Sequence, residues 1–172
     1  MAAKKYLQLG TDGFPEEKAG TATSGGVGNA GDLVALLDTG TLDPSVMPPG
    51  FGADAKNLPA FEDVVAGDMI NIFDDGGAAK ARLADASASG KIAEGYVLAA
   101  FNTGDTALVY FGRINNQLSG LTVGAKYFLN PSSAGKITTT VPTGSGNVVQ
   151  YVGKAISATE LEFEPGTPIK RA

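Results

Sequence analysis

Four short runs between Gly120 and Pro165, each fenced by turn residues, leave this chain little but a β fold. They are Gly120–Pro131, Lys136–Pro142, Asn147–Ile156 and Ser157–Pro165. Ser132-Ser133-Ala134-Gly135 and Thr143-Gly144-Ser145-Gly146 separate the first three. Each run is rich in β-branched or aromatic residues, and Gly, Pro, Ser and Asn mark its ends, which is strand-and-turn punctuation. The last run is the plainest. Leu161 and Phe163 alternate with Glu160, Glu162 and Glu164, so one face is apolar and the other carboxylate. It reads as the final half-buried strand, closed by Pro165.

The same grammar extends upstream. Asp68–Phe73 reads as a strand, Asp74-Asp75-Gly76-Gly77 as a tight turn, and Lys80–Ala84 as the return. Ala84–Ile92 is small and Ser/Ala-rich and reads as a loop. Gly95–Phe101 and Thr106–Phe111 are two further strands, joined across Asn102–Asp105. The two halves parallel each other. Ala66–Ile72 matches Val123–Leu129, Gly95–Ala99 matches Gly153–Ser157, and Thr106–Phe111 matches Thr159–Phe163, at an offset of about 57 residues that shortens at the end. The expected fold is all-β: a compact antiparallel β-barrel or sandwich built from a duplicated four-strand unit, with an extended N-terminal arm. Eight strands suffice to close or cover their edges. The expected division is 1–58 as arm and linker, 59–166 as body and 167–172 as tail.

The arm is weak in packing signals. Lys4–Leu9 has one faint alternation. Ala19–Gly31 is low-complexity and small, and it cannot bury enough to order itself alone. Leu33–Leu37 is a short apolar run. The prolines at 44, 48 and 49 rule out a long helix, while Asp43 before Pro44 suits a single capped turn. The arm therefore reads as a segment that orders against a neighbour. Its anchors would be Tyr6, Leu7, Phe14, Leu33, Val34, Leu36, Leu37, Leu42, Val46 and Met47, with packing of Leu33–Leu37 on the chain's own body as the alternative.

Chemistry is sparse. The chain has no Cys and no His, which removes thiolates, disulfides and the commonest general base and metal ligand. Gly25–Gly31 lacks the Gly-Lys-Ser/Thr ending of a phosphate cradle and follows no strand. Asp74-Asp75 serves a turn, and no calcium-loop spacing surrounds it. The Ser and Thr residues have no partner to activate them and no Gly-x-Ser-x-Gly elbow. Glu160, Glu162 and Glu164 suit a solvated face or a subunit contact, with Lys126, Lys136 and Lys154 as possible partners. No catalytic, cofactor-binding or metal residue is expected, and no cofactor. Net charge is −5 with no basic stripe, which argues against nucleic acid. No apolar run is long enough to span a bilayer, and Met1–Tyr6 leads into no signal-peptide core.

One segment and the body together resemble a known family. Leu37-Asp38-Thr39-Gly40-Thr41-Leu42-Asp43-Pro44-Ser45-Val46-Met47-Pro48 resembles a segment of tailed-bacteriophage structural proteins. Ala66-Gly67-Asp68, Gly120–Tyr127 and Gly135–Thr140 resemble small capsid decoration (cement) proteins. The resemblance covers most of residues 33–165. It implies a β-rich homotrimer on the outer capsid surface of the virion, at three-fold sites, with the arm on the major capsid protein. The long N-terminal segment exceeds a minimal cement protein, so a head fibre or a tail or baseplate part stays open. A sugar-binding surface module is a further alternative, though the chain has no Trp.

Overall fold

The computed structural model describes residues 5–43, 46–47 and 54–172. It falls into two compact units, residues 1–52 and 53–172. The boundary lies six residues before the expected one, because Ala55–Pro59 is a strand of the body and not a linker.

In the first unit, β1 (Lys5–Leu9) and β2 (Pro15–Ala19) form an antiparallel hairpin. A 3-10 turn at Gly26–Asn29 follows. The hairpin corrects the expectation of a segment without structure of its own. Its signal is the Asp12-Gly13 turn: Gly13 takes positive φ, and the Asp12 carboxylate accepts from the Phe14 N–H at 3.1 Å. The expected capped turn is only partly visible. Val46 N–H donates to the Asp43 carbonyl at 3.1 Å, while Pro44, Ser45 and residues 48–53 lie outside the described residues.

The body is all antiparallel β. Its first half contributes β3 (Ala55–Pro59), β4 (Met69–Asp75), β5 (Ala78–Leu83), β6 (Gly95–Val97) and β7 (Thr106–Tyr110). They pair in the order β3-β7-β6-β4-β5. The second half contributes β8 (Arg113–Asn115), β9 (Lys126–Leu129), β10 (Ile137–Thr138), β12 (Tyr151–Ala155) and β13 (Leu161–Phe163). They pair in the order β8-β13-β12-β9-β10. Substituting strand for strand, the two orders are the same.

The registers agree as well. Met69 pairs with Tyr96 and Ile70 with Gly95; at the matched places Lys126 pairs with Lys154 and Tyr127 with Gly153. Val97 faces Val109 as Ala155 faces Leu161. The turns match too. Gly67 N–H donates to the Val97 carbonyl at 2.8 Å, and Gly124 N–H donates to the Ala155 carbonyl at 2.8 Å. The repeated unit has five strands rather than the four expected, with β3 and β8 added at the edge.

The two sheets share a core. Met69, Ala84, Ala86, Ala93 and Tyr96 of the first half pack with Tyr127, Leu129, Val152, Ala155, Leu161 and Phe163 of the second. Tyr96 meets Phe163 edge-on at 5.3 Å. The arrangement is sandwich-like. The other face of the first sheet carries a second core of Leu58, Val64, Ile70, Ala81, Val97, Ala107 and Val109. A parallel bridge from Ala60, next to edge strand β3, to Ala81 of the opposite edge strand β5 draws the two edges of this sheet together around that core, with Phe61 N–H donating to the Ala81 carbonyl at 2.8 Å. The first sheet is thus buried on both faces, and the second on one. Met69 and Ile70 are consecutive and both fully buried, whereas Leu161 and Phe163 are buried around an exposed Glu162. That difference is written in the sequence as a continuous apolar run against strict alternation.

Polar groups stitch the halves together. Buried Asp68 accepts from the Val65 N–H at 2.9 Å and pairs with Lys136 of the second half at 2.5 Å. The buried Gln150 amide donates to the Ala93 carbonyl and accepts from its N–H, both at 2.8 Å. One side chain thereby imitates a strand neighbour.

Several expected strands end early. Gly95–Phe101 stops at Val97, and Phe101 instead bridges Val64. Lys136–Pro142 shrinks to two residues, as the Thr138 hydroxyl accepts from the Thr140 N–H at 3.1 Å and turns the backbone aside. Asn147–Ile156 divides at Gln150 into β11 (Val148–Val149) and β12, which itself carries a register shift between Tyr151 and Gly153. The chain does not finish at Pro165. β14 (Ile169–Lys170), in the expected tail, pairs with β11.

Candidate interaction surface

In the first unit no described residue is buried. The hairpin alternates as a strand pair must. Lys5, Leu7 and Leu9 share one face with Ala19, Glu17 and Pro15. Tyr6 and Gln8 share the other with Lys18 and Glu16. The second face is the one the rest of the unit meets. Lys18 pairs with Asp32 at 2.6 Å, and Leu33 N–H approaches the Tyr6 hydroxyl at 3.5 Å. The first face is left open, with Leu7 73% and Leu9 70% exposed, and Phe14 beside it 70% exposed. The Lys5–Glu17 pair at 2.7 Å crosses this face.

Asp32 holds the irregular part in place. Its carboxylate accepts from the Thr21 hydroxyl at 2.8 Å and the Asn29 amide at 3.0 Å, and it pairs with Lys18. The hydrogen bonds from Lys18, Asn29 and Thr21 lower its pKa to about 2, and the Asp32 bond in turn raises that of Lys18. Backbone bonds fasten the same region. Thr21 N–H donates to the Leu33 carbonyl and Ala35 N–H to the Thr21 carbonyl, both at 2.9 Å. The frame is polar throughout, so the apolar side chains it carries stay outside.

Those side chains are mostly the ones singled out from sequence. Leu7, Phe14, Leu33, Val34, Leu36, Leu42 and Met47 are exposed; Tyr6, Leu37 and Val46 are half-buried. Tyr6 and Leu33 are brought together at the hairpin, and Val34 and Val46 share a hollow of about 150 Å3. Leu9 and Val27 belong with them and were overlooked. Leu9 follows Leu7 at the strand period of two, which is a signal; Val27 sits among glycines and gives none.

The body's polar motifs resolve into structural roles. Asp74 accepts from the Gly77 N–H at 2.9 Å and Asp75 pairs with Lys80 at 2.6 Å, both within the β4–β5 turn. Lys136 pairs with Asp68 rather than with a C-terminal glutamate. Among the described residues no carboxylate cluster suits a metal ion, and no helix is long and apolar enough to cross a membrane. Gly25–Gly31 forms the 3-10 turn, with the Asn29 side chain accepting from the Gly25 N–H.

No known family model, curated protein or solved structure matches the chain.

Proposed function

We propose that this chain is a structural protein of a bacteriophage particle, decorating and stabilising the capsid as a cement protein. In this reading the first unit docks on the major capsid protein and the body stands on the outer surface, three copies to a three-fold site. One observation carries the docking role: a hydrogen-bonded N-terminal unit with no buried described residue presents large apolar side chains, in a chain whose body has two complete cores of its own. Apolar groups held outward on a polar frame mark a surface made to be covered. The phage assignment rests on the resemblance of residues 37–48 and of the body segments. The physical logic agrees with it. Many weak contacts repeated over a shell sum to permanent attachment. No nucleic acid, membrane, cofactor or catalytic step enters this reading.

The test is stoichiometry in purified particles. A ratio to the major capsid protein near unity fits a cement protein. A ratio of a few percent overturns it and moves the chain to a head fibre, tail or baseplate. Removing residues 1–52 should abolish shell binding; a truncated body that binds as well as the full chain would place the contact elsewhere.

A further inference from the structure

The second half carries an open hollow of about 340 Å3, where the loops after β9 and β10 meet ahead of β11. No residue lining it is charged. Asn130, Ser132, Thr138, Thr140, Thr143 and Asn147 bring neutral hydroxyl and amide groups. Pro131, Val141 and Pro142 supply apolar wall between them.

Most of these polar groups are not used by the fold. The Ser132, Thr140 and Thr143 hydroxyls and the Asn147 carboxamide make no hydrogen bond to any described residue. The Asn130 carboxamide uses only its oxygen, which accepts from the Ser132 and Ser133 N–H groups at 2.8 and 3.2 Å. The frame around them is nonetheless fixed. Asn147 N–H donates to the Gly144 carbonyl at 3.1 Å. Arg171, just after β14, donates from its backbone to the Asn147 carbonyl at 2.8 Å and from Nε to the Pro142 carbonyl at 3.3 Å.

An aromatic row leads away from the hollow. Thr138 pairs with Phe128, and Phe128 with Tyr151, across β10, β9 and β12. The three side chains therefore share the outward face of the sheet. The two rings are half-buried and meet edge-on, 6.2 Å apart.

A ligand suited to this place is rich in hydroxyls and carries no charge. Side-chain hydroxyls and amides can both donate to and accept from sugar hydroxyls. Phosphate and carboxylate groups are recognised by cations, which the lining lacks, and the net charge of −5 repels them. A peptide strand would need a longer edge than the two residues of β10. Aromatic rings with one side left open suit the apolar C–H faces of a pyranose.

We infer that this hollow binds a neutral oligosaccharide, one sugar residue seated among the threonines and asparagines and the next laid along Phe128 and Tyr151. The site belongs to the body alone and is independent of the first unit and of the shell reading.

The full chain, applied to an array of immobilised neutral oligosaccharides and their sialylated forms, should be retained by neutral ones, with sialylation adding nothing. For a retained sugar, titration followed by amide resonances should saturate with a Kd on the order of 1 mM. The shifts should gather at residues 128–132, 138–147 and 151. The variant T140V/T143V keeps side-chain shape at exposed sites, so its free spectrum should match wild type, while binding weakens roughly tenfold for two lost hydrogen bonds. Retention by no neutral sugar overturns the inference. So do tighter binding of sialylated forms, shifts centred elsewhere, or a folded variant that binds as well as wild type.

Discussion

Gly95 and Gly153 occupy the same place in the two repeats, and neither can be anything larger. A Cβ on Gly95 would sit 2.6 Å from the Tyr110 carbonyl oxygen; one on Gly153 would sit 2.2 Å from that of Glu162. Backbone cannot step aside as a side chain can, so Gly95→Ala and Gly153→Ala should each destabilise the body by about 1–3 kcal/mol. Gly90→Ala, with open space around it, should stay within ~0.5 kcal/mol. Urea titration of the three variants decides this. Asp32 offers a different residue-scale prediction. Its pKa falls from 3.8 to about 2 on folding, so its contribution is present above pH 3.8 and lost as pH drops through 2. The Thr21 and Ala35 amide resonances should hold their positions from neutral pH to about 4 and shift toward random-coil values below it. In Asp32→Asn they should be displaced already at neutral pH.

At the scale of elements, legibility followed burial and length. β4, β7 and β13 were readable because their side chains show either continuous or alternating apolarity, and the Gly76-Gly77 turn announces itself with two positive-φ glycines. The strands that escaped are edges or short pairs. β8 is three residues, Arg-Ile-Asn, and the buried Asn115, which donates to the Gly67 carbonyl at 3.0 Å, is its anchor. A polar residue satisfied by a distant backbone leaves no periodic trace. Arg113 even takes a positive φ of 74°, uncommon for a residue with a side chain. β3 and β14 are likewise polar and interrupted by or next to proline. The exposed apolar side chains of the first unit are more legible than the scaffold that holds them, since leucines are visible in sequence whereas the Asp32 network is not. The β1–β2 hairpin carries the element-scale prediction. Replacing Leu7, Leu9 and Phe14 together by Ser should leave the thermal unfolding of the body unchanged. If the chain is the cement protein proposed above, its shell binding, measured by co-sedimentation, should fall by at least tenfold, since three exposed anchors at about 1–2 kcal/mol each exceed that margin.

For the whole molecule, the repeat shows how one unit serves two positions. The same strand order and register carry different outward faces: Met69 and Tyr96 inside the stack, Lys126 and Lys154 at its end. Terminal repeats of stacked architectures need a polar outer face. Duplicated topology could be read from spacing. The stacking sense could not, because it depends on which face of each sheet finds the other. The first repeat has a core of its own in Leu58, Ile70, Val97 and Val109. The second shares its core with side chains lent by the first. A fragment of residues 54–111 should therefore unfold cooperatively alone, while 113–172 should not, by circular dichroism and urea titration.

That dependence gives the chain a direction in time. Synthesis delivers the first repeat before the second, and domains emerging from the ribosome fold as they appear. The early half can consolidate around its private interior and then offer Met69 and Tyr96 as a template. The later half, with no interior until that template exists, condenses onto a finished surface. The order of translation and the order of assembly coincide, so newly made second-repeat strands meet a prepared partner rather than one another.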